Sequence, residues 1–182
     1  MGEMDSVHIL LVTGSLRAES TNAAVLRTVQ AVAPAGVETT IYAGLATLPH
    51  FNPDDDFEPL PAAVTELRAQ VDTAGAVLFC TPEYAGALPG SFKNLLDWSV
   101  GGPEMYEKPV AWINASTRAA AHAHGSLRTV LGYIHAEIVE DACVHVPVPP
   151  QAGGADGLIG DAEIRAALRR ALDALATHLT QM

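Results

Sequence analysis

The chain alternates between short, nearly continuous apolar runs and longer stretches in which apolar residues recur every third or fourth position. The first run, His8-Ile9-Leu10-Leu11-Val12, stops at Thr13-Gly14, which is how a parallel strand buried on both faces reads. Over 22–33, Ala23, Val25, Leu26 and Val29 follow the helical period, and Pro34 with Gly36 closes the element. Residues 37–42 form a second extended piece. Prolines, glycines and an acidic cluster make 44–61 an exposed connection. Helical spacing returns over 61–73 through Val64, Leu67 and Val71, with Pro61 suited to the first turn, and 76–80 is another buried strand. The same alternation gives a helix over 91–98, a strand over 110–114, a helix over 125–134, a strand over 137–146 and an amphipathic helix over 161–178.

Five strand–helix units in succession predict an α/β fold. Parallel neighbours need crossovers, and right-handed crossovers lay the helices on both faces of the sheet. With 182 residues, 49% apolar and 17% charged, the chain suits one compact domain over 1–182. Gly153-Gly154-Ala155-Asp156-Gly157, which follows Pro149-Pro150, reads as a surface connection rather than a phosphate loop.

Charge and cysteine usage narrow the function classes. A net charge of −11 opposes a polyphosphate backbone, and no local basic patch offsets it, so nucleic acid is not an expected partner. No run of eighteen uncharged apolar residues suggests a membrane span, and Met1-Gly2-Glu3-Met4-Asp5 lacks the basic flank of a secretory signal; a cytoplasmic protein is expected. Cys80 and Cys143 have neither CxxC nor Cys/His spacing and read as buried small hydrophobes. Asp54-Asp55-Asp56 reads as solvated surface, and His122 and His124 as loop or interface histidines, so no metal is expected.

In an open parallel sheet, ligands sit beyond the carboxyl ends of the strands, so the loops after strands one, three and four are the places to look. The first holds Thr13, Ser15, Ser20, Thr21 and Asn22 immediately before a helix, with Arg17 as its single cation and Gly14 at the turn. A helix start presents unpaired N–H groups and a positive dipole end, hydroxyls donate to anionic oxygens, and arginine chelates two of them. The bland alternative is a capped polar turn. Neither GxxxxGK[ST] nor GxGxxG occurs here, which disfavours ATP and a Rossmann-type NAD site, and Ser15 lies outside a GxSxG elbow. The second loop, residues 81–90, mixes proline and glycine with Tyr84 and can lay backbone donors along a flat heterocycle. Its alternative is a turn with a packed tyrosine.

Taken together, GSLRAESTN after strand one and TPEYAGALPGSFKNLLDW after strand three resemble the NAD(P)H-dependent FMN reductases, a family that includes related quinone, azo-dye and chromate reductases. The resemblance implies a flavodoxin-like three-layer sandwich with a five-stranded parallel sheet in the order 2-1-3-4-5. It implies that Ser15, Arg17, Ser20 and Asn22 surround the FMN phosphate, and that Pro82, Glu83, Tyr84, Ala85 and Gly86 run along the isoalloxazine. Ser116, after strand four, would complete the pocket.

NADPH or NADH is then the hydride donor and a flavin, quinone or similar small molecule the acceptor, in a ping-pong exchange that assigns no catalytic side chain. Relatives of this kind form homodimers or homotetramers. Two departures stand out. Many relatives carry PEYN where this chain has Pro82-Glu83-Tyr84-Ala85, and many have a glycine-rich loop where this chain has residues 115–125. The competing expectations are a flavodoxin-like electron carrier and a non-catalytic module that has kept the fold.

Overall fold

The computed structural model describes residues 6–182. In chain order it comprises β1 (Val7–Thr13), α1 (Thr21–Ala31), β2 (Val37–Ile41), α2 (Ala62–Thr73), β3 (Ala76–Cys80), α3 (Gly90–Trp98) and β4 (Pro109–Asn114). There follow α4 (Ala121–Tyr133), the two-residue strands β5 (Glu137–Ile138) and β6 (Val144–His145), and α5 (Ala162–Gln181). These strands pair in parallel in the order β2-β1-β3-β4-β5, the flavodoxin-like arrangement, with β6 also on β4.

β1 is an interior strand, Leu11 sitting between Ile41 of β2 and Leu78 of β3. Its side chains alternate across the sheet: Ile9 and Leu11 pack with Val25 of α1 and Leu172 of α5, Leu10 and Val12 with Val64 of α2, Phe92 of α3 and Leu127 of α4. An apolar run without polar interruption is what two covered faces require.

Three expectations need correction. The continuous strand over 137–146 is broken by a 3-10 turn at Glu140–Ala142. Five residues lie between Ile138 and Val144, against two between their partners Val110 and Ile113, so the edge strand carries three residues that the ladder cannot pair. The turn takes them up, burying Ala142 in the core while Glu140 meets Arg128 at 2.5 and 2.8 Å on the surface.

The connection over 44–61 is docked rather than simply exposed. Tyr42 and Leu45 are buried at its start, Trp98 donates its indole N–H to the Pro49 carbonyl at 2.8 Å, and the Phe51 amide donates to Asn94 Oδ1 at 2.7 Å. Within the acidic cluster Asp56 pairs with Arg68 at 2.7 Å, while Asp54 and Asp55 stay exposed.

The third correction concerns α4, which begins at Ala121 rather than at residue 125, so His122 and His124 are helical, the first exposed and the second buried. Cys80 is buried as expected; Cys143 is only half-buried.

Candidate functional site

β1 delivers its loop to the carboxyl edge of the sheet, and the loop is folded by its own side chains. Thr13 Oγ1 accepts from the Ser15 amide at 3.1 Å, and Ser15 Oγ from the Arg17 amide at 3.3 Å. Ser20 is the N-cap of α1, its hydroxyl oxygen accepting from the Ala23 amide at 3.2 Å, while the Ala24 amide bonds the Ser20 carbonyl. Among the described residues, the amides of Thr21 and Asn22 have no partner, as the first turn of a helix dictates. Asn22 Oδ1 accepts from the Cys80 thiol at 3.2 Å, which leaves the amide NH2 of Asn22 as the free end. Burial pushes the Cys80 thiol far up, so it stays a neutral donor.

Gly14 has a different role from the one its position suggests. A Cβ there would lie 2.1 Å from Thr81 Oγ1 and 2.6 Å from Thr81 Cβ, so the glycine is required by the close approach of the residue after β3.

The loop after β3 makes a tight hairpin in which Tyr84 and Ala87 exchange both backbone hydrogen bonds at 3.0 Å. Its central residues, Ala85 at φ 50° and Gly86 at φ 72°, both adopt the left-handed conformation that such a turn demands and that Asn-Gly fills most readily. The PEYN pattern of the resemblance thus has a backbone reason here, and Ala85 holds the same conformation at a cost. Tyr84 is exposed at the rim.

The loop after β4 is held from both sides. Asn114 Oδ1 accepts from the Ser116 amide at 3.0 Å and Asn114 Nδ2 donates to the Ala119 carbonyl. His145 Nε2 lies 2.7 Å from the Ser116 carbonyl, donating in the tautomer protonated there. Ala119 and Ala120 follow at φ 68° and φ 46°. From α4, His124 Nδ1 donates to the Ala120 carbonyl at 3.0 Å, leaving Nε2 buried and without a partner among the described residues. Burial, opposed by that backbone bond, holds the His124 pKa below the usual histidine value, with His145 lowering it further and Glu83 raising it.

These three loops enclose a cavity of about 600 Å³, within the range of small-molecule sites. All ten residues expected at the site line it: Ser15, Arg17, Ser20 and Asn22 from the first loop, Pro82, Glu83, Tyr84, Ala85 and Gly86 from the second, and Ser116 from the third. Arg17 and Arg118 line it too, and neither is in an ion pair among the described residues, although carboxylates outnumber cations along the chain.

Val148 and Pro150 were not anticipated. They form a wall because the Val148 amide donates to the Ala115 carbonyl at 3.0 Å, continuing the β6 ladder past its end. The signal available in the sequence was positional, since the carboxyl end of the last strand belongs to the same edge as the others.

This fold and this edge-of-sheet cavity define a flavodoxin-like α/β protein. The family model for NADPH-dependent FMN reductase matches residues 7–149, and the chain belongs to that family. It is 31% identical over 175 residues to an NAD(P)H-dependent FMN reductase of Pseudomonas aeruginosa, covering 94% of each chain. It is 30% identical over 159 residues to a quinone reductase of Escherichia coli, covering 82% of this chain and 85% of the other. Among solved structures, the flavoenzyme NAD(P)H:(acceptor) oxidoreductase of Paracoccus denitrificans superposes with a TM-score of 0.83 at 27% identity, covering 96% of this chain and 98% of that one.

Proposed function

We propose that the cavity binds FMN, with the phosphate at the β1 loop and the ring along the β3 loop, and that the protein passes hydride from NAD(P)H to a flavin, quinone or similar small acceptor. The observation that carries this is the convergence of residues 15–22, 82–86 and 116 on one cavity at the carboxyl edge of the sheet. The donors fit the group: two unpartnered helix amides, the hydroxyls of Ser15 and Ser20, the Asn22 amide and an arginine without a carboxylate partner suit a phosphate dianion. Family membership supports the reading, as does the similarity to an FMN reductase and a quinone reductase.

FMN, when bound, supplies the hydride acceptor and donor. The chain's own residues bind and orient. Arg17 and the start of α1 give the anion a local positive field against the overall charge of −11. The left-handed turn at Ala85-Gly86 fixes which backbone groups of residues 82–86 face the cavity. Val148 is buried and gives the cavity an apolar wall. No side chain is required to move a proton, and none is assigned as catalytic.

NAD(P)H and the acceptor occupy the same open side of the cavity in turn, so initial-rate plots at varied acceptor give parallel lines. Anaerobic addition of NADPH to the FMN-loaded protein bleaches the flavin absorbance within seconds. Slow or absent bleaching would favour an electron carrier, a colourless protein after incubation with FMN a module without flavin, and intersecting lines a ternary complex.

The protein assembles as a homodimer or homotetramer in this reading, which the exposed aromatic side chains of Phe57, Tyr106 and Tyr133 support. Sedimentation velocity decides it. We place the protein in the cytoplasm, consistent with two free thiols at Cys80 and Cys143. Among the described residues, no helix is long and apolar enough to cross a membrane.

A further inference from the structure

We infer that Glu83 is a positioning residue that locks the loop after β4 onto the ring loop, so that flavin binding along one wall of the cavity orders the wall at which the substrates arrive. The inference rests on the flavin reading above.

Ser20 caps α1 and Asp161 caps α5 from the adjoining position, while α2 and α3 begin directly after Pro61 and Pro89 without a side-chain cap. α4 has no cap from the adjoining residue either, because the Ala120 side chain has no group able to accept. The missing acceptor comes from forty residues upstream, where Glu83 Oε2 accepts from the Ala123 amide at 3.0 Å. A carboxylate at a helix start gains from both the charge-assisted bond and the positive dipole end.

The geometry makes that bond matter. Two consecutive alanines in the left-handed region form the approach to α4, a conformation in which a Cβ crowds its own carbonyl. Asn114 and His145 hold residues 116 and 119 of this loop from the β4 and β6 side. Among the described residues, the hydrogen bond that ties its helical end to the opposite wall is the one to Glu83. Glu83 lines the cavity between Pro82 and Tyr84 and its carboxylate reaches the start of α4, so one residue belongs to the ring wall and is bonded to the substrate wall. Ser116, Thr117 and Arg118, which line the cavity from the second wall, are thereby set by the first.

Three substitutions separate the bond from the charge. Glu83→Gln keeps an oxygen that accepts from Ala123, Glu83→Ala removes it, and Glu83→Asp keeps the charge but shortens the reach. Hydrogen exchange read by mass spectrometry over residues 117–124, with and without FMN, is the first readout. In the absence of FMN, the Ala and Asp variants exchange about tenfold faster there than wild type, and Gln stays close to it. FMN slows exchange over 117–124 in wild type and Gln, and does so much less in Ala and Asp.

Steady-state kinetics gives the second readout: in flavin-loaded Ala and Asp variants KM for NADPH rises about tenfold while kcat stays within about threefold, and Gln restores KM. Unchanged exchange over 117–124 in both Ala and Asp overturns the inference, as does a Gln variant as impaired as Ala or a fall in kcat at constant KM. Wild type that takes up no FMN removes the proposed function and the flavin-linked ordering with it, while the flavin-free exchange still decides whether the tie exists.

Discussion

The loops after β1 and β4 both line the cavity and begin alike, each with a side chain at the strand end and a serine two residues on accepting from the amides two positions further, but they are finished differently. The β1 loop is organised by residues within eight positions of one another: Thr13, Ser15 and Ser20 each satisfy an amide two or three residues on. The β4 loop adds to its local bonds at Asn114 and Ser116 ties from outside, from Glu83 on the β3 loop and His145 on β6, and ends in two left-handed alanines. Local bonding gives a site that forms once the helix behind it forms. Remote bonding gives one whose shape depends on the rest of the molecule.

The sharpest way to break this comparison is to remove one arginine from each loop. Arg17→Ala weakens FMN binding by about 10- to 100-fold, the worth of a charge-assisted bond to phosphate, whereas Arg118→Ala leaves FMN affinity within about threefold. Fluorescence-quenching titrations with FMN measure both. Equal losses would mean that the anion is not held by the β1 loop alone.

Next in size is the steric constraint beneath the β1 loop. Gly14→Ala forces a Cβ to within 2.1 Å of Thr81 Oγ1 and should cost about 1–3 kcal/mol, read as a fall of several degrees in Tm. An unchanged Tm would show that β1 and β3 can move apart at no cost.

Smaller effects of opposite sign are expected where alanine occupies left-handed backbone. Ala119→Gly and Ala85→Asn should each stabilise by up to about 1 kcal/mol, since glycine and asparagine take that conformation more readily. Calorimetry checks this; a loss of stability at Ala85→Asn would show that the side chain clashes at the cavity rim.

The smallest effect is a pH dependence. His124 has a folded pKa held below its unfolded value near 6.5, chiefly by burial, with His145 and Glu83 as its charged neighbours. Above pH 6.5 both states are neutral and the residue contributes no slope. As pH falls below 6.5 the unfolded chain binds the proton first, and stability is lost until the folded pKa is reached. His124→Gln should flatten that acid limb in urea midpoints measured between pH 5 and 7.5; an unchanged limb would place the titration elsewhere.

The same contrast explains what could be read from the sequence. β1, β3 and β4 were legible because burial on both faces leaves an uninterrupted apolar run, and the β1 loop because its hydroxyls, its arginine and its helix lie next to one another in the chain. The start of α4 was not. Its cap is Glu83, forty residues away, and Ala119-Ala120-Ala121 contains no local start signal. The break in the edge strand was hidden for a related reason, since it follows from how many residues β4 can pair, a property of the neighbour rather than of residues 137–146. Val148 and Pro150 became wall residues only through the bond from Val148 to Ala115.

The central claim is that the start of α1 and Arg17 hold the phosphate of a flavin whose ring lies along residues 82–86. The most direct measurement is a pair of titrations of the purified protein, one with FMN and one with riboflavin, followed by flavin fluorescence at fixed salt. FMN should bind at least about 100-fold more tightly than riboflavin, because only FMN carries the group that the β1 loop is built to receive. Equal affinity for the two, or no binding of FMN at all, would contradict the account.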